Sequence, residues 1–134
     1  MILVDSSVWI DFLNGRNTVH RHILHELIEA NKDIGITEII VTEILQGIKE
    51  ERDFLLTQEY LLAFPIFTPL GIETYLHAAR IFRECRKAGK TVRKTVDCMI
   101  AAICIEHNLT LLHNDRDFNR IAECSGLRNW PSLR

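Results

Sequence analysis

Two short apolar runs, each leading into acidic residues, constrain this chain more than any other feature. Ile2-Leu3-Val4 is followed by Asp5, and Leu109-Thr-Leu-Leu runs into Asn114-Asp-Arg-Asp-Phe, so Asp115 and Asp117 follow the second run as Asp5 follows the first. A brief apolar stretch bounded by turn residues reads as a buried strand. In an open parallel sheet, ligands bind outside the carboxyl ends of the strands, where these residues would be delivered. Taken alone, Asp5 reads equally well as a turn or capping residue. Other acidic residues must decide it.

The chain between the two runs alternates strand and helix. Ser6 or Ser7 caps a helix from near Val8 that carries Trp9, Ile10 and Leu13, and Asn14-Gly15 stops it. Thr18 caps a second helix through Glu29, and Asp33-Ile-Gly-Ile makes a second strand. Helices follow over residues 37–48 and 50–63, then a brief third strand at Phe64-Pro-Ile-Phe, whose proline suggests an edge or strand-start position. A long amphipathic helix over 72–88 turns Ile72, Tyr75, Leu76, Ala79 and Phe82 inward, and Gly89 ends it. After the basic loop Lys90 to Lys94, Thr95 caps a helix over 96–107, and residues 127–130 form a last edge strand behind a short helix closed by Gly126. The pattern predicts an α/β fold of three layers, α/β/α, around a central, mainly parallel sheet of four or five strands. The 134 residues make one domain, 1–134, with no repeat, linker or low-complexity tract.

Two carboxylates fall on helix faces that should be apolar. On a wheel of 100° per residue, Glu43 lies among Ile36, Ile39 and Ile40, where a charge costs several kcal/mol unless it is paired or bound to metal. Asp97 shares the arc of Ile100, Ala101 and Cys104, although a first-turn aspartate can also simply complement the helix dipole. Asp5, Glu43, Asp97 and Asp115 therefore converge on one crevice. Like charges so close cannot all ionise unaided, and a divalent cation is the usual compensation. Hard oxygen donors without histidine or cysteine select Mg2+, with Mn2+ as a substitute. Such a site suits in-line displacement at a phosphodiester.

Other chemistries recede. Cys85, Cys98, Cys104 and Cys124 lack CxxC spacing and read as reduced core or near-core residues, and His20, His22 and His25 have no second ligand cluster. No phosphate loop and no Ser-His-Asp or Cys-His arrangement stands out. With 47% apolar and 25% charged residues, no membrane-length run and no basic leader, the expected setting is the cytoplasm, with no membrane contact. A net charge of −2 argues against bulk attraction to nucleic acid. Seven of the sixteen basic residues nevertheless lie between Arg80 and Lys94, a band able to track phosphates or simply to solvate a helix.

Leu3-Val-Asp-Ser-Ser-Val-Trp-Ile-Asp, Thr42-Glu-Ile-Leu-Gln-Gly, Thr95-Val-Asp-Cys-Met-Ile-Ala-Ala and Leu111-Leu-His-Asn-Asp-Arg-Asp-Phe, in this order and spacing, resemble the PIN-domain family, and within it the VapC-like toxins of bacterial and archaeal toxin–antitoxin pairs. The resemblance covers essentially the whole chain. It implies an acidic metal site of Asp5, Glu43, Asp97 and Asp115, with Asp5 and Asp97 the principal ligands, Asp117 a fifth candidate and Ser7 a hydroxyl at the margin. It further implies cleavage of RNA, a homodimer, and inhibition by an antitoxin chain lying across the site. His113 stands where relatives often carry threonine.

The resulting expectation is a Mg2+-dependent endoribonuclease toxin. Asp5, Asp97 and Asp115 hold the metal, Glu43 positions or deprotonates water, Ser7 donates to a phosphate oxygen, and Lys90, Arg93 and Lys94 guide the RNA backbone. Helices 37–48 and 50–63 offer a groove for an antitoxin helix, although the same apolar residues serve equally as core. The alternatives are a metal-dependent nuclease acting on DNA and a catalytically idle binding module of the same fold. A haloacid-type phosphotransferase would want an Asp-x-Asp pair, and Ser6-Ser7 follows Asp5 instead.

Overall fold

The computed structural model describes residues 1–130. Strand β1 (Ile2–Val4) is buried along its whole length and is paired on both edges, to β2 (Ile34–Gly35) and to β3 (Thr110–Leu112). With β4 (Arg128–Trp130) outside β3, the order is β2-β1-β3-β4 and every pairing is parallel. The chain leaves β1 toward one edge and later leaves β3 toward the other. The order therefore reverses between β1 and β3, and at such a switch point the carboxyl ends of two neighbouring strands frame a crevice. The backbone amide of Asp5 donates to Leu112 O at 2.9 Å, tying the two strand ends together there.

Seven helices cover the sheet: α1 (Ser6–Leu13), α2 (Val19–Glu29), α3 (Glu38–Leu45), α4 (Glu51–Leu62), α5 (Ile72–Lys87), α6 (Thr95–Glu106) and α7 (Arg116–Glu123). The crossover through α1 and α2 and the crossover through α7 run in opposite directions, so right-handed connections put them on opposite faces. Helix α1 packs on α2 and α3, whereas α6 packs on α5 and α7. Leu3, Val4, Ile36, Ile100, Leu111 and Phe118 are among the fully buried side chains of the core between them. No described helix is long and apolar enough to cross a membrane.

Four local expectations need correction. Asp5, not Ser6 or Ser7, caps α1, because its carboxylate accepts from the amide of Ser7. Thr95 is the first residue of α6 and Lys94 precedes it without a side-chain cap. Phe64-Pro-Ile-Phe is not a strand. It makes one bridge, Ile36 with Ile66, in which Ile36 N donates to Pro65 O at 2.9 Å and Phe67 N donates to Ile36 O at 2.8 Å. Gly35 permits this approach, since a Cβ there would collide with the Phe67 ring.

The fourth correction concerns α5, which turns a different face inward. Thr74, Ala78, Ile81 and Cys85 are buried, while Ile72, Tyr75, Leu76 and Ala79 face out and Phe82 is half-buried. Small residues on α5 let it lie close to α6, itself lined by Ala101, Ala102 and Cys104. Burial of Thr74 is tolerated because its hydroxyl accepts from Leu70 N at 2.9 Å and donates to Glu106 Oε1 at 2.5 Å. The cysteines are free thiols, three buried and Cys124 half-buried, with Cys85 Sγ and Cys124 Sγ 2.7 Å apart.

Candidate metal centre at the β1 and β3 carboxyl ends

Each acidic side chain arrives by a different local device. Asp5 and Asp115 are the N-caps of α1 and α7, so the capping alternative holds for Asp5 and extends to Asp115, and capping fixes each carboxylate at a strand end. Asp5 Oδ2 accepts from Ser7 N at 3.1 Å and from Ser7 Oγ at 2.7 Å, and Ser7 Oγ in turn accepts from Asn114 N at 3.0 Å. The Ser7 hydroxyl thus clamps the β1 end to the β3 end. Asp115 Oδ1 accepts from Asp117 N at 3.0 Å, and Asp115 N donates to His113 Nδ1 at 3.1 Å. A threonine at 113 would offer a hydroxyl in place of that ring nitrogen. Burial pushes the His113 imidazole down to about 4, so it is neutral at physiological pH.

Helices supply the remaining carboxylates. Asp97 is in the first turn of α6 and 2% exposed, and its Oδ2 is buried without a hydrogen-bond partner. Glu43 is half-buried on α3, where Oε1 accepts from Ser6 Oγ at 3.1 Å. Asp97, Asp115 and Asp117 each offer an oxygen within 4.8 Å of the others.

The charges have consequences. Burial, reinforced by the Asp5, Asp115 and Asp117 carboxylates and opposed by Lys94, pushes Asp97 up to about 7. Burial also raises Asp5, against the lowering effect of the Ser7 hydrogen bonds. Glu43 is raised by burial and then by the neighbouring Asp5. Three carboxyls are thus biased toward the protonated form, first by burial and then by one another's charge.

The basic residues offset only part of that charge. Lys94 Nζ is 3.9 Å from both Asp97 Oδ1 and Asp115 Oδ2. Arg93 Nε donates to Asp117 Oδ2 at 3.1 Å, and Arg120 Nη1 donates to Asp117 Oδ1 at 2.8 Å. Both oxygens of Asp117 are therefore occupied by guanidinium groups. Asp117 is a member of the carboxylate cluster and at the same time the anchor for both guanidinium groups. Lys90 is turned away, paired with Glu123 at 2.6 Å.

An unpartnered buried carboxylate oxygen on Asp97, with an all-oxygen donor set around it, fits a hard divalent cation. The structure brings Asp5, Glu43, Asp97, Asp115, Ser7 and Asp117 to one edge. Sequence reasoning assigned Ser6 only to capping, and it missed Asn114 and Arg120. The Asp117-to-Arg120 spacing of i and i+3 was a readable signal for the last of these.

The PIN domain family profile matches residues 2–123. Ribonuclease VapC11 of Mycobacterium tuberculosis is 31% identical over 129 residues, covering 96% of each chain. Among solved structures, VapBC2 from Rickettsia felis bound to a DNA fragment from their promoter gives a TM-score of 0.73 at 22% identity, covering 97% of this chain and 99% of that one. A toxin–antitoxin complex from Klebsiella pneumoniae also gives 0.73, at 20% identity over 99% and 100% of the two chains. With the fold, the acidic edge and a family match over nearly the whole length in agreement, this chain belongs to the PIN-domain family.

Proposed function

We propose that this chain, acting as one nuclease unit over residues 1–134, is an endoribonuclease and the toxin of a toxin–antitoxin pair. It hydrolyses RNA phosphodiesters with Mg2+ as cofactor and Mn2+ as a substitute. The observation that carries the reading is the buried, unpartnered Oδ2 of Asp97, clustered with Asp115 and Asp117 and under the electrostatic influence of Asp5. The 31% identity to a protein named ribonuclease supports the choice of RNA.

Asp97, Asp115 and Asp5 hold the cation, which supplies neutralisation of phosphodiester charge and acidity for a water. Ser6 orients Glu43, and the raised proton affinity of Glu43 suits it to accept a proton from the attacking water. Ser7 keeps Asp5 in place, and because its one proton goes to Asp5 Oδ2 while its oxygen accepts from Asn114 N, it positions the carboxylate and does not donate to a phosphate oxygen as the sequence suggested. Lys94 and Arg93 offer positive charge at the rim of the acidic crevice, whereas Lys90, paired with Glu123, does not join them as the sequence suggested.

The antitoxin occupies the groove between α1, α3 and α4, lined by Ile10, Leu13, Ile44, Ile48 and Leu56, a space of about 740 Å³. Leu70, Ile72, Tyr75 and Leu76 are exposed together along the start of α5 and suit the homodimer contact. The protein works in the cytoplasm.

The test is incubation of purified protein, freed of any co-purified inhibitor, with pooled cellular RNA and with DNA of matched sequence. Parallel reactions contain Mg2+, Mn2+ or chelator. Discrete RNA fragments that require the cation are expected. Cleavage of the DNA alone, or of neither polymer, would overturn the reading.

A further inference from the structure

Beside the carboxylates, and outside the chemistry assigned above, lies a second cavity of about 900 Å³, within the ~300–1,000 Å³ range of small-molecule sites. Its walls come from the start of α2, the β3–α7 connection, α7 and the end of β4. It shares Asp115 and Arg93 with the acidic edge, so an occupant there is immediately next to the site of hydrolysis.

The lining is distinctive in its chemistry. Trp130 presents an indole that is 38% exposed at the end of the edge strand, a flat apolar surface with no aromatic neighbour among the described residues. Asn119 offers an amide that both donates and accepts, His20 an imidazole, and Arg116 a guanidinium. None of these three makes a side-chain hydrogen bond or ion pair among the described residues. An aromatic face, a planar two-way amide and a free cation in one pocket match an unstacked nucleobase and its phosphate. Single-stranded RNA is read by stacking on aromatic rings and guanidinium planes and by hydrogen bonds to exposed base edges.

We propose that this cavity is a base subsite. It binds the unstacked base of the nucleotide flanking the scissile phosphate, with Trp130 as the stacking platform and Asn119 reading the base edge. Arg116 meets the next phosphate. The inference rests on the ribonuclease reading for the identity of the polymer. Selectivity among RNAs then resides here, since the carboxylates contact only phosphate and water.

The chain has two tryptophans, and Trp9 is fully buried among Phe12, Tyr60 and Phe64, so quenching of indole emission by a base reports Trp130. The full-length protein is titrated, in chelator, with a single-stranded oligoribonucleotide of mixed sequence. Binding is followed by emission and, separately, by anisotropy of an end label. Emission is expected to fall on binding. Trp130→Ala is expected to weaken binding about 5- to 160-fold, the range for loss of one stacked base. Trp130→Phe should bind within a few fold of wild type with no quench. Asn119→Ala should change which base is preferred in a panel varied at one position.

Wild-type affinity in Trp130→Ala, or binding without quenching in the wild type, would overturn the proposal. A protein that binds with quenching but cuts nothing under Mg2+ or Mn2+ would refute the nuclease reading and still support the subsite.

Discussion

Asp97 and Asp117 lie in the same cluster, are almost equally buried, and are in opposite situations. Asp117 is enclosed completely but has a guanidinium on each oxygen, from Arg93 and Arg120. Asp97 is 2% exposed, has a lysine ammonium 3.9 Å from one oxygen, and leaves the other without a partner. Burial alone therefore does not mark a functional carboxylate. What separates the two is compensation: Asp117 is neutralised by two guanidinium groups, whereas Asp97 keeps one buried oxygen unpartnered, which is destabilising until something satisfies it.

The largest effect should come from removing the uncompensated carboxylate itself. Asp97→Asn is expected to lower kcat on RNA by more than about 100-fold, past the 10–100-fold typical of residues that only support a ligand. It should leave the fold intact by circular dichroism. Glu43→Gln keeps an acceptor for Ser6 but removes the base. It should lower kcat by about 100-fold, the lower end of what a general base contributes, while Mn2+ affinity stays within a few fold.

Asp117→Asn sharpens the contrast from the other side. It leaves Arg120 without its anionic partner and Arg93 with only the longer contact to Asp115 at 3.8 Å, so the melting midpoint should drop by roughly 3–8 °C. Activity should fall only about 10-fold, because the Asp117 amide still donates to Asp115 and the change reaches the site only through Arg93, which contacts both carboxylates. A smaller effect should appear in the pH dependence of stability. In the metal-free protein the native state holds a proton on Asp97 that the unfolded chain releases, so this group makes stability fall as pH rises from about 3.8 to about 7. Asp97→Asn removes that penalty. Its melting midpoint should exceed that of the wild type at pH 7.5 by a few degrees, and the difference should shrink toward pH 4. Saturating Mn2+ should narrow the gap by stabilising the wild type alone.

Strand ends and helix arcs made most of the site legible in advance. Asp5 and Asp115 follow apolar runs, and the helical wheel puts Glu43 and Asp97 where a lone charge does not belong. The α/β layering followed from the same alternation. What escaped depends on partners distant in the chain. Wheel arithmetic cannot tell which face of α5 goes inward when both carry apolar residues. The small side chains of α6 favour Ala78 and Cys85 there, leaving Ile72, Tyr75 and Leu76 outside. Phe64 to Phe67 has strand composition, but its described pairing to the β2 edge is the bridge at Ile36 alone. The role of Asp117 was hidden for a similar reason. Its neutralisation requires Arg93, 24 residues earlier, to fold back from the loop before α6.

The most direct test is a titration of metal-free wild type, Asp97→Asn and Asp117→Asn with Mn2+, following the free ion by electron paramagnetic resonance. Wild type and Asp117→Asn should both bind the ion, and Asp97→Asn should leave it free in solution. Retention of Mn2+ by Asp97→Asn together with its loss in Asp117→Asn would contradict the account, and would move the metal centre to the carboxylate that the arginines enclose.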